Sequence, residues 1–182
     1  METQLKLNVA GLDFVPYIPY SQISRRVEEL GTELNQDYEG LSPIFLPILN
    51  GSFMFAADLI KEICIPCQVS FVKIASYEGT QSSGKVSQLI GLQQDLEGRH
   101  IILVEDIVDT GLTMASLLRE LENFRPASVK IATLFVKPES LKEEFEIHYR
   151  GFDIPNKFIV GYGLDYEGFG RNYRDVYCLS PD

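Results

Sequence analysis

The sequence predicts an α/β fold in which a mainly parallel, twisted sheet is flanked by helices. Three observations carry this expectation. Short apolar, β-branched runs alternate with segments whose apolar residues recur at helical spacing. Twice, a strand-like run passes through a glycine-bearing turn into a helix, at Asn50-Gly51-Ser52 and at Asp109-Thr110-Gly111. The run Ile101-Ile102-Leu103-Val104 has no polar alternation, as expected of a strand covered on both faces.

Residues 1–20 contain the short apolar pieces Val9-Ala10 and Phe14-Val15, broken by Pro16 and Pro19, and read as an irregular entry arm with room for an edge strand. Ser21 is the expected N-cap of a helix with Ile23, Val27, Leu30 and Leu34 on one face. Ser42-Pro43 opens the first core strand, Ile44 to Leu49, and Asn50-Gly51-Ser52 turns into a helix from Phe53 to Ile63. Gln68 to Tyr77 alternates apolar and polar residues before a polar, glycine-flanked stretch, Glu78 to Lys85, suited to a lid or a plain flexible loop. Val86 to Ile90 is the candidate return strand. After a turn at Gln94 to Gly98 comes the central strand from Ile101, with Glu105 and Asp106 expected at its end. The next helix places Met114, Leu117, Leu118 and Leu121 inward and stops before Pro126. Val129 to Val136 is a strand ending at Lys137-Pro138, and Lys157 to Tyr162 is another. Glu139 to Tyr149, acidic and aromatic, has no readable period; Tyr173 to Leu179 closes the chain as an edge strand. With no linker and no repeat, residues 1–182 read as one domain.

Composition narrows the function. The chain is 45% hydrophobic with a formal net charge of −10, which disfavours nonspecific nucleic-acid binding, since that needs clustered Lys and Arg. No apolar run is long enough to span a bilayer and the first residues lack a signal-peptide core, so a cytoplasmic protein with no membrane partner is expected. Cys64 and Cys67 have redox spacing, but no second pair or histidine cluster accompanies them; with Cys178 they read as buried thiols. His100 and His148 carry no partner pattern.

The chemistry concentrates in Ile101 to Thr113, IILVEDIVDTGLT. Ligands of open α/β sheets bind outside the carboxyl ends of strands, where a helix N-terminus offers unpaired N–H groups to a phosphate. Gly111 lets backbone approach the anion, and Thr110 and Thr113 add hydroxyl donors. Glu105, Asp106 and Asp109 would repel a phosphate, so they make sense facing sugar hydroxyls or holding Mg²⁺. A phosphate loop beside an acidic clamp points to a phosphorylated ribose. The plainer alternative is an acidic turn capping a helix.

The order Glu-Asp-x-x-Asp-Thr-Gly-x-Thr in VEDIVDTGLT resembles the phosphoribosyl pyrophosphate (PRPP) signature of the type I phosphoribosyltransferases. LNGSFMFAADL, SYEGTQSSG, TLFVKP and KFIVGYGLDY extend the likeness over nearly the whole chain, to the hypoxanthine-guanine phosphoribosyltransferases. The resemblance implies a type I phosphoribosyltransferase fold, with a core over roughly 21–164 and a small hood from roughly 1–20 and 165–182. It implies PRPP binding by Glu105, Asp106, Asp109, Thr110, Gly111, Leu112 and Thr113, with Asp109 as catalytic base. Asn50, Gly51 and Arg171 would bind pyrophosphate, whereas Arg174 reads as a surface charge. Ser76 and Tyr77 would stand at the base of a closing lid.

Lys137 on local sequence reads as a snorkelling surface lysine. The resemblance instead makes it the donor to O6 of a 6-oxopurine, with Phe158 stacking on the base and the Ile159 backbone facing its edge. Phe158 by itself reads equally well as a core aromatic. Mg²⁺ is the implied cofactor, one ion at Glu105 and Asp106 and a second bound by Asp165, which also stands beside the purine. PRPP and a 6-oxopurine are the implied partners, in a homodimer or homotetramer. The implied reaction is purine salvage to IMP or GMP, a xanthine-preferring enzyme being the alternative. An RNA-binding regulator sharing the PRPP loop should show a basic face. A fold kept without catalysis should have lost Asp109, Lys137 or Asp165, and all three are present. One departure stands out: Asn50 occupies a place where relatives usually carry Lys or Arg, often beside a non-proline cis peptide.

Overall fold

The computed structural model of the chain describes residues 6–76, 87–90 and 94–181. In order they form β1 (Leu7–Val9), β2 (Leu12–Ile18), α1 (Tyr20–Asp37), β3 (Ile44–Leu49), α2 (Phe53–Lys61), β4 (Gln68–Val69) and β5 (Val72–Ser76). There follow β6 (Ser87–Ile90), β7 (His100–Val108), α3 (Leu112–Glu122), β8 (Ser128–Val136), β9 (Tyr149–Asp153), β10 (Ile159–Val160) and β11 (Val176–Leu179). The main sheet runs β6-β5-β3-β7-β8-β9, with β4 also beside β3. Its pairs are parallel except β5 with β6.

Strand β7 explains why its sequence shows no alternation. Ile102 and Val104 join a core with Val27 and Leu30 of α1 and Phe55 and Leu59 of α2. Ile101 and Leu103 point the other way, into a core with Met114, Leu117 and Leu121 of α3. Each such side chain, fully buried, stabilises by about 1.5–3 kcal/mol relative to exposure.

The helical stripe of Ile23, Val27, Leu30 and Leu34 is the buried face of α1 as expected, but Ser21 does not cap it. Pro19 does, in extended backbone, and its carbonyl accepts from the N–H groups of Gln22 and Ile23. The Tyr20 N–H donates to Asp175 Oδ1 at 2.7 Å, a cap supplied from the far end of the chain. The expected strand over Gln68 to Tyr77 is two strands, because β4 pairs with the start of β3 and β5 with its end. The expected return strand is β6, antiparallel to β5. The candidate lid, with Tyr77, lies outside the described residues.

A second, antiparallel sheet, β1-β2-β11-β10, encloses its own small core of Val9, Phe14 and Val160. The expected strand from Lys157 to Tyr162 shrinks to Ile159–Val160 and belongs to this sheet, because Gly161 and Tyr162 turn away with positive φ. Likewise β11 is an inner strand here rather than an edge. The unreadable segment before Tyr149 packs Leu141, Phe145 and Ile147 against the α3-side core and then enters β9. Of the three thiols only Cys178 is buried; Cys64 is exposed and Cys67 partly so, since both lie in the surface turn between α2 and β4. Among the described residues no helix is long and apolar enough to cross a membrane.

Candidate active site

Because β3, β7 and β8 are parallel neighbours, their carboxyl ends deliver Asn50-Gly51, the Asp109 loop and Lys137 to one edge. Asp165 arrives by a different route. It follows β10 of the small sheet, and the loop before it packs against the Asn50 turn. The Leu49–Asn50 peptide is cis. The buried Ser52 hydroxyl donates to the Ile48 carbonyl at 2.6 Å, bracing the turn, while Asn50 is exposed. Gly51 has no room for a Cβ, which would collide with the Asp106 carboxylate.

Glu105 and Asp106 do not end the strand, as the sequence suggested, but lie within it. β7 continues to Val108 because β8 stays paired alongside, Glu105 opposite Thr133 and Val108 opposite Val136. Being adjacent in a strand, the two carboxylates serve different faces. Glu105 lines a cleft with Asp109, Thr110, Gly111, Thr113 and Met114. Its Oε2 atom is enclosed and has no hydrogen-bond donor among the described residues. Burial, and then the charge of Asp106, push the Glu105 carboxyl well above the usual range. Asp106 faces Gly51 and is pushed up to about 6 by burial, opposed by backbone N–H bonds and the positive charge of Arg171. One of those bonds is from Ile107 N–H to Asp106 Oδ1, at 2.9 Å.

Beside the cleft, α3 begins at Leu112 with Gly111 as a left-handed N-cap (φ +77) and no side-chain cap, which leaves its first N–H groups available. Leu112 and Thr113 are exposed. A Cβ at Gly111 would stand 2.8 Å from the Phe145 ring, and the Thr110 carbonyl accepts from the Lys142 N–H at 2.9 Å. The segment without sequence signal thus backs the loop.

Lys137 is not a snorkelling surface residue. Its side chain is 9% exposed, and Nζ lies 2.7 Å from Asp109 Oδ2 and 3.3 Å from Asn156 Oδ1. Asn156 had no signal in the sequence. Phe158 is not a core aromatic: it is 44% exposed, with Phe14 and Tyr166 packed against it. Ile159 pairs with Cys178 in the small sheet. Asp165 Oδ1 pairs with Arg171 Nη2 at 2.6 Å and Oδ2 accepts from the Gly168 N–H, while Arg171 Nη1 donates to the Gly163 carbonyl at 2.7 Å. Arg174 is exposed, over the Tyr20 ring. Ser76 ends β5, its backbone opposite Ser87. His100 bonds Ser128 at the opposite, amino end of β7 and β8.

Comparison with known proteins places the chain in a family. The family model described as phosphoribosyl transferase domain matches residues 19–167. A Lactococcus lactis hypoxanthine-guanine phosphoribosyltransferase is 45% identical over 162 residues, 88% of each chain. One from Streptococcus pneumoniae is 43% identical over 160 residues, 87% of each. Among solved structures, a Bacillus anthracis hypoxanthine-guanine phosphoribosyltransferase superposes with a TM-score of 0.84 at 34% identity, covering 91% of this chain and 98% of that one. Fold, motif order and relatives agree, and the chain belongs to the hypoxanthine-guanine phosphoribosyltransferases of the phosphoribosyltransferase family.

Proposed function

We propose that the protein transfers the 5-phosphoribosyl group of PRPP to hypoxanthine or guanine, N9 of the base displacing pyrophosphate from C1 of the ribose. The observation that carries this reading is the 2.7 Å pair of Lys137 and Asp109 at the ends of adjacent parallel strands. A 6-oxopurine presents O6, an acceptor, beside N7. The Lys137 ammonium has only N–H groups and suits O6, while the Asp109 carboxylate accepts the proton at N7. Adenine offers an amino group where O6 would be, so donor faces donor and the Lys137 N–H aimed at the base goes unsatisfied in a buried site, which costs on the order of 1–3 kcal/mol or more. The relatives' names favour hypoxanthine and guanine over the xanthine-preferring alternative.

In this reading the loop from Asp109 to Thr113 grips the 5′-phosphate through its backbone N–H groups and the hydroxyls of Thr110 and Thr113. Glu105 and Asp106 take the ribose hydroxyls, Asn50, Gly51 and Arg171 the pyrophosphate, and Phe158 stacks on the base against the Ile159 backbone. Ser76 and Tyr77 anchor a closing lid that keeps water from the developing ribosyl cation. Glu105 and Asp106 suit one Mg²⁺ and Asp165 a second. They are hard oxygen donors, and the enclosed Glu105 Oε2 is an orphan that a cation or a sugar hydroxyl satisfies. Mg²⁺ is typically bound through one or two carboxylates, with substrate phosphate and water completing its shell. Such an ion supplies neutralisation of charge on the leaving pyrophosphate. We further propose that the chain acts as one domain, roughly 1–20 and 165–182 forming a hood over the core, in a cytoplasmic homodimer or homotetramer.

Initial rates with hypoxanthine, guanine, xanthine and adenine at saturating PRPP and Mg²⁺ test the assignment. Hypoxanthine and guanine should dominate. Adenine turning over as well as hypoxanthine would overturn it.

A further inference from the structure

Behind the Asn50 turn sits a tyrosine whose backbone is unusual for so large a side chain. Tyr162 is fully buried at φ +49, between Gly161 at +100 and Gly163 at +98. Three left-handed residues in a row carry the chain from β10 towards Asp165. A bulky residue persists in that region only where its surroundings over-determine it. Here the side chain supplies the constraint. The Tyr162 hydroxyl donates to Asp58 Oδ2 on α2 at 2.7 Å, and its N–H donates to the Tyr173 carbonyl at 2.7 Å. Asp58 also accepts from the Tyr20 hydroxyl at 3.4 Å and from Lys61 Nζ at 2.7 Å.

Both ends of this bond reach the pyrophosphate side of the site. Asp58 lies on the helix into which the Asn50-Gly51 turn runs directly. Next to Tyr162, Gly163 presses so closely on Gly51 that a Cβ would strike the Gly51 carbonyl oxygen. The Gly163 carbonyl accepts from Arg171, which pairs with Asp165. Burial would raise the Asp58 carboxyl, but hydrogen bonds from Lys61 and Tyr162 outweigh it and hold it below its ordinary value. Burial first, and then Asp58, push the Tyr162 phenol up, so it stays a donor to a charged acceptor.

We propose that Asp58 and Tyr162 are positioning residues. Their hydrogen bond fixes the Asn50-Gly51 turn against the Asp165–Arg171 pair and so sets affinity for the pyrophosphate end of PRPP. This rests on the reading of Gly51 and Arg171 as pyrophosphate ligands.

The test is steady-state kinetics on the full chain carrying Tyr162→Phe, Asp58→Ala, both together, Asp58→Asn, and Arg171→Gln, with thermal melts of each. Tyr162→Phe and Asp58→Ala should each raise the KM for PRPP about tenfold, as expected when a hydrogen bond to a charged group is lost. The KM for hypoxanthine at saturating PRPP should stay within about twofold of wild type, and the double variant should be no worse than either single one. Asp58→Asn, which keeps an acceptor oxygen, should restore most of the affinity. Equal shifts in both KM values, additive losses, failure of Asp58→Asn to recover, or lowered melting with an unchanged KM for PRPP would each overturn the proposal. If Arg171→Gln raises the KM for PRPP while Tyr162→Phe does not, the positioning role alone fails. If neither raises it, the pyrophosphate reading fails and takes the proposal with it.

Discussion

Lys137 and Asp109 neutralise each other across 2.7 Å in the resting protein, one largely buried and the other half exposed. Replacing Asp109 by Asn keeps a hydrogen-bonding group but removes both the base and the counter-charge. Turnover should fall about 10²–10⁴-fold, with PRPP affinity nearly retained in an equilibrium binding assay. Wild-type turnover would remove Asp109 from the mechanism. Lys137→Gln replaces a pure donor with an amide that both donates and accepts. The ratio of kcat/KM for hypoxanthine over adenine should shrink about tenfold or more, and an unchanged ratio would detach Lys137 from O6. What the sequence could not convey was burial. A lysine after a strand looks the same whether it snorkels or points inward, and only packing against Asp109 and Asn156 distinguishes the two.

The phosphate-loop motif was legible as strand, acidic run, glycine and helix, yet its support was not. Phe145 lies against Gly111, and the Lys142 N–H holds the Thr110 carbonyl, so a segment with no period of its own sets the loop's back wall. Phe145→Ala should destabilise the fold by about 1–3 kcal/mol in urea titration, below the usual cost at a fully buried site because Phe145 is only partly buried. It should also raise the KM for PRPP more than that for the base. A variant that loses stability with unchanged KM values would confine Phe145 to packing. Such contacts escape sequence reading because they join residues far apart in the chain with no shared spacing.

Charge acts on the whole molecule. With a formal net charge of −10 the protein repels a polyanionic substrate, and Asn50 offers no positive charge at the turn. Asn50→Lys should lower the KM for PRPP most at low ionic strength, since the Debye length shrinks from about 30 Å at 0.01 M to about 10 Å at 0.1 M salt. An effect that is absent at every salt concentration would mean that side chain 50 does not face the pyrophosphate. The acid side of the stability curve carries a second signature. Burial raises the Asp58 carboxyl, hydrogen bonds from Lys61 and Tyr162 lower it by more, and the net is a depressed value in the folded protein. Its stabilisation is therefore full above the unfolded carboxylate pKa of about 3.9 and disappears as pH falls through the folded value. Denaturant titrations from neutral pH downward should show stability falling in that acid range, and Asp58→Asn should flatten the fall. An identical acid slope in the variant would show that Asp58 titrates alike in both states.

The sequence by itself determined the layered α/β plan, the order of strands and helices from Ile44 to Val136 apart from the break between β4 and β5, and the loop from Asp109 to Thr113, because hydrophobic period and turn chemistry are local properties. It also marked the Asn50-Gly51 turn and, through resemblance, Lys137 and Asp165. Tertiary structure alone decided that Ile159–Val160 leaves the main sheet for a second one, that Asp175 caps α1, and that Glu105 and Asp106 lie inside β7. It also pressed the Asp106 carboxylate and the Gly163 backbone against Gly51. Each of these depends on which distant segments touch, and the pairing of surfaces formed only by folding is written in no local pattern.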